Sequence, residues 1–157
     1  FNLNSKDDGF TEEKLFEMNV SDLGRVDDRY LTQPYRYAFT AYSDKQRPFE
    51  EWKAGNLGGR VSNCYGRFDL ATGKMNSYFA GPTHSLQEVC FVPRKNGAEG
   101  EGYIMGVASN YAEMRSELII ADAQRLEEGD VARVLLPFRA TAQVHGRWMD
   151  EGELPFA

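Results

Sequence analysis

Histidine is nearly absent from this chain of 157 residues, which carries only His84 and His145. Cysteine is equally scarce. Cys64 and Cys90 are too few for a disulfide framework or a thiolate metal site, and they point to a reducing compartment, the cytoplasm. Basic residues are outnumbered, 18 Lys and Arg against 24 Asp and Glu, for a net charge of −6. No basic cluster stands out of the kind a phosphate backbone demands, so nucleic acid is excluded as a partner. Long apolar runs are missing too: Val131 to Phe138 is strand-length, and no transmembrane helix is expected. The chain opens Phe1-Asn2-Leu3, without an initiator Met or the basic-then-apolar pattern of a signal peptide. It reads as a piece of a longer protein.

What is present is strand sequence. Thr11 to Met18 is the one short helix expected, with Thr11 as N-cap and Lys14, Leu15 and Met18 at helical spacing. From Tyr35 onward, β-prone stretches alternate with turn residues. Strands are expected at Tyr37 to Tyr42, Arg60 to Asp69, Lys74 to Ala80, Glu88 to Pro93, Gly102 to Ala108, Glu117 to Ala121 and Ala132 to Leu136. Gly73 closes the hairpin after Leu70-Ala71-Thr72 by taking positive φ. Asn96 to Glu101 and Glu127 to Asp130 read as exposed turns. This rhythm, nearly free of helix, predicts an all-β fold of antiparallel sheets: a sandwich, a barrel or propeller blades. The strands suffice for about two four-stranded blades.

His145 is followed by Gly146, Arg147 and Trp148. A neighbouring glycine lets the backbone approach a crowded centre, and Trp148 is read as packing beside the ring. On its own the tetrapeptide fits two readings, a histidine that caps a strand or a metal ligand. Tyr37, Tyr42, Phe91 and Phe138 could line an aromatic substrate cavity, although aromatics on strands more often form core.

Five segments come in a telling order: Gln87-Glu88-Val89-Cys90-Phe91-Val92-Pro93-Arg94, Gly100-Glu101-Gly102-Tyr103, Ser116 to Ala123, Val131-Ala132-Arg133-Val134, and His145-Gly146-Arg147-Trp148. Together they resemble the C-terminal end of the carotenoid cleavage oxygenases. Leu136-Pro137-Phe138-Arg139 leading into Val144-His145-Gly146 is similar to the bacterial branch of lignostilbene dioxygenases and isoeugenol monooxygenases. The likeness extends more weakly through Arg25 to Tyr30 and Tyr35-Arg36-Tyr37.

The resemblance implies the C-terminal blades of a seven-bladed β-propeller, so that residues 1–157 form the last part of one such domain. It implies Fe(II) on the propeller axis, held by four histidines from different blades. His145 matches the last of them. Glu88 matches a glutamate behind the ligands that accepts a hydrogen bond from a ligand ring, and Asp22 falls by register at a second such position, one methylene short. Val89 stands where the family usually has proline, a change in backbone rigidity rather than chemistry. His84 matches no ligand position and reads as a loop residue. The other three ligands would come from the remainder of the propeller, an N-terminal segment or a companion chain. The implied activity is cleavage by O2 of an alkene in a stilbene-like, phenylpropenoid or carotenoid-derived substrate. The alternative is a propeller-type binding protein without active iron. Imidazole suits Fe(II), and four neutral rings leave the ion its charge and open positions for dioxygen. One ring alone would leave the isolated segment inactive.

Overall fold

In the computed structural model, residues 12–17, 19–55, 61–143 and 145–153 are described. The fold is all-β, and the described residues hold nine strands in two antiparallel sheets. In the first, β1 (Asn19–Val26), β2 (Tyr37–Ser43), β3 (Cys64–Asp69) and β4 (Lys74–Phe79) lie in sequence order. The second comprises β5 (His84–Leu86), β6 (Cys90–Pro93), β7 (Gly102–Asn110), β8 (Arg115–Asp122) and β9 (Asp130–Leu135). Its order is β5-β7-β8-β9, and β6 also pairs with β7.

Apolar alternation decides which faces meet. Phe39 and Tyr65 of the first sheet join Val89, Phe91, Ile104, Ile119 and Leu126 in one core, all buried. Phe39 stacks on Phe91 at a ring distance of 4.8 Å and 11° between planes, which locks the sheets together. Tyr42 and Phe91 are thus core residues rather than cavity lining, whereas Phe138 is exposed. Gly73 has φ +66°, as its hairpin requires.

Two expected elements differ. Residues 12–17 form no helix, and Thr11 and Met18 lie outside the described residues. So short a segment cannot offset helix nucleation by itself. It is tied down instead by Phe16, which meets the edge of Phe68 at 4.7 Å. The one α-helical turn among the described residues, α1 (Glu51–Ala54), has no side-chain cap and is anchored by the Glu50 N–H on the Pro82 carbonyl at 2.8 Å. The strand expected from Glu88 begins only at Cys90: residues 87–89 belong to no strand, and β5, which was not expected, precedes them. No helix among the described residues is long and apolar enough to cross a membrane.

Candidate metal centre

The interruption before β6 builds the site. β5 pairs with the end of β7 at Ala108–Asn110, and β6 pairs with its beginning at Gly102–Met105. Residues 87–89 bridge the gap along the same edge of β7. The Gln87 N–H still reaches the Val107 carbonyl at 2.9 Å. Gly106 lies inside the gap, and a Cβ there would sit 1.9 Å from the Tyr65 hydroxyl. That hydroxyl, fully buried on β3, donates to the Gln87 carbonyl at 3.1 Å. The core thereby fixes the backbone beneath two consecutive polar side chains, Gln87 and Glu88.

Both side chains grip the segment leading to His145. The Gln87 amide donates to the Thr141 carbonyl at 3.3 Å and accepts from the Gln143 N–H at 3.0 Å. The Glu88 carboxylate accepts from the Gly146 N–H through Oε2 at 2.6 Å. Its Oε1 lies 2.9 Å from Arg25 Nη2 and 3.6 Å from His145 Nδ1. Arg25 Nη2 also donates to the Gly146 carbonyl at 2.8 Å. Oε1 receives no directed hydrogen bond, so its contact with Arg25 is one of charge. The Glu88 side chain is 7% exposed while the His145 ring is 65% exposed. A buried carboxylate with an unfilled acceptor thus faces the inner nitrogen of a ring whose outer nitrogen, Nε2, makes no hydrogen bond among the described residues.

The expected site residues are only partly brought together. His145 and Glu88 are neighbours. Glu88 pairs with a basic residue, Arg25, but with its side chain buried rather than at the surface; Arg94 instead lies 3.7 Å from Asp122. Asp22 lies on β1 opposite Ala41, beside a register shift, and its side chain is outside the described residues. His145 and Trp148 are on no strand. Trp148 donates its indole N–H to Asp150 at 2.9 Å, and a Cβ on Gly146 would meet nothing within 4 Å. Gly146 therefore serves here through its peptide group, held at both N–H and carbonyl. Among the described residues no group of three or more His, Cys, Asp or Glu could hold a metal, so His145 is a single donor.

His84 is not a loop residue. It opens β5, is 7% exposed, and its Nε2 lies 3.2 Å from Oε2 of Glu117, a side chain with no exposed surface. Glu117 also accepts from Asn110 at 3.2 Å, Arg115 at 2.9 Å and Arg133 at 3.0 Å. Arg133 continues to Tyr78 and Asp130, joining the two sheets. Burial lowers the His84 pKa against the pull of Glu117, so the neutral ring donates Nε2–H to Glu117. The strand is three residues long and its burial alternation covers only His84 and Leu86, too short a signal to separate from a turn.

The sequence and the fold have counterparts among known proteins. Residues 1–150 match the family model described as "Retinal pigment epithelial membrane protein". Lignostilbene-α,β-dioxygenase isozyme III of Sphingomonas paucimobilis is 37% identical over 99% of this chain and 32% of its own length. Isoeugenol monooxygenase of Pseudomonas putida is 35% identical over 95% of this chain and 31% of its own. The crystal structure of Pseudomonas brassicacearum lignostilbene dioxygenase superposes with a TM-score of 0.89 at 31% identity, over 95% of this chain and 31% of that one. The chain thus spans about a third of the length of the curated relatives it matches. With its two blade-like sheets, its ordered motifs and this match along nearly its full length, the chain belongs to the carotenoid cleavage oxygenase family.

Proposed function

We propose that this chain is the C-terminal part of a seven-bladed propeller whose intact protein is an Fe(II)-dependent dioxygenase. It would cleave the double bond of a stilbene-like, phenylpropenoid or carotenoid-derived alkene. The two alkene carbons each take one atom of O2, giving two carbonyl products. The observation that carries this reading is the buried Glu88 carboxylate, whose unfilled Oε1 lies 3.6 Å from His145 Nδ1. A carboxylate there takes the Nδ1–H of a neutral ring and leaves the Nε2 lone pair outward, which is the arrangement a metal-ligating histidine needs. The residues present therefore fit Fe(II), with His145 as ligand and Glu88 behind it. When bound, the metal supplies the position at which dioxygen is activated.

The rest of the chain's contribution is positional. Glu88 fixes tautomer and ring orientation, and Tyr65 and Gly106 fix the backbone carrying Glu88. Asp22 is assigned a parallel role toward another ligand. The other three imidazoles are assigned to the remainder of the propeller. A cytoplasmic setting agrees with the two free cysteines.

The test is metal content in the intact protein. His145→Ala should lose bound iron and activity while keeping its β-sheet signature. Glu88→Gln should weaken iron binding by roughly 10–100-fold. Full iron retention by folded His145→Ala would refute the assignment, and an intact wild-type protein that takes up no iron would favour a binding protein instead.

A further inference from the structure

We propose that Arg25 and Gln87 are positioning residues for His145, an inference that rests on the reading of His145 as a ligand. Among the described residues the segment between β9 and His145 pairs with no strand. β8 holds only its start, where Ser116 accepts the Leu136 N–H on its carbonyl and the Ala140 N–H on its hydroxyl, both at 2.9 Å. Beyond Ala140 the sheet does not set how far the segment reaches or how it is rotated. Side chains take over that task. Gln87 presents one donor and one acceptor to the backbone two residues apart, at Thr141 and Gln143. Because a carbonyl can only accept and an N–H can only donate, these partners dictate which way the amide faces, and neither a carboxylate nor a thioether of similar size satisfies both.

Arg25 acts at the other end. Its Nη2 holds the Gly146 carbonyl at 2.8 Å and touches Glu88 Oε1 at 2.9 Å. The two peptide units that flank the Gly146 Cα are therefore each held, the one after His145 by Glu88 at its N–H and the next by Arg25 at its carbonyl. Arg25 comes from β1 of the other sheet, so the ring's position depends on how the two sheets are docked. The planar guanidinium suits this double contact, whereas a lysine ammonium offers a mobile point charge.

Cobalt(II) is the probe, added to the metal-free intact protein, with affinity read by chelator competition and ligand geometry by the visible absorption bands. Arg25→Met should weaken Co(II) binding on the order of 10-fold and alter the bands, with Arg25→Lys restoring only part. Gln87→Met should shift the bands in the same direction. Gln87→Glu, which keeps the acceptor for Gln143 and loses the donor for Thr141, should fall between it and wild type. Circular dichroism confirms that each variant is folded, and should Arg25→Met not fold, the Gln87 pair decides. Wild-type affinity and bands in folded Arg25→Met and Gln87→Met would overturn the proposal while His145→Ala still loses cobalt. Unchanged cobalt binding in His145→Ala would instead overturn the ligand assignment and this inference with it.

Discussion

At the scale of single residues, two histidines share one chain and face opposite environments. His145 is exposed with a carboxylate behind it, whereas His84 is enclosed within a charged cluster. Burial holds His84 below its ordinary 6.5. Burial pushes Glu117 up, but its bonds from Arg115 and Asn110 and the charge of Arg133 bring it below its ordinary 4.5. Both shifts have the same consequence. The unfolded chain takes up protons that the folded one refuses, so stability falls on acidification. The contribution of His84 is complete above pH 6.5 and is lost as the pH drops below it toward the folded value. That of Glu117 is complete above 4.5 and is lost below. Denaturant midpoints should therefore decline in two steps, and His84→Gln should remove the first. A midpoint flat from pH 8 to pH 5 would contradict this. Glu117→Leu should cost about 1–3 kcal/mol, since His84 cannot turn to water while Arg115 and Arg133 partly can.

At the scale of elements, the interruption between β5 and β6 matters most. Gly106→Ala would drive a methyl into the Tyr65 hydroxyl, a contact of 1.9 Å that only displacement of the ring can relieve. The expected cost is about 1–3 kcal/mol in stability. Because Tyr65 holds the Gln87 carbonyl, metal affinity of the intact protein should drop as well. Calorimetry and metal titration on one preparation check both, and a variant as stable as wild type would argue against this support. Most strands were legible: β2, β4, β7 and β8 fall close to where alternation and turn residues put them, whereas β3 begins at Cys64 instead of Arg60 and β9 begins at Asp130, within the expected turn. β1 was not, because its Asp22, Gly24 and Arg25 break the apolar alternation and two register shifts mark the strand. The break at residues 87–89 was hidden for a related reason. Val89, Phe91 and Val92 look like continuous strand, and only contact with β7 and Tyr65 reveals the gap. Glu88 was found by motif rather than by pattern. Its partner Arg25 lies 63 positions away along the chain, and no local spacing links the two.

At the scale of the whole molecule, two sheets share one core, yet β9 ends its sheet with Val131, Val134 and Leu135 about half exposed. Such an edge invites pairing or cover. A polypeptide of these 157 residues alone is expected to retain no Fe(II) through gel filtration, because a single imidazole is its one proposed ligand. Stoichiometric iron on the isolated polypeptide would contradict that expectation. The two tryptophans divide the molecule differently: Trp52 is 80% exposed on α1, and Trp148, three residues after His145, is 41% exposed. Trp148 is also tied to Asp150. Emission from Trp52 should thus be red-shifted and indifferent to the site, while a paramagnetic ion on His145 would quench Trp148 at close range. In a Trp52→Phe protein, the remaining fluorescence becomes an optical gauge of whether the His145 segment is docked and loaded, readable in real time and without substrate.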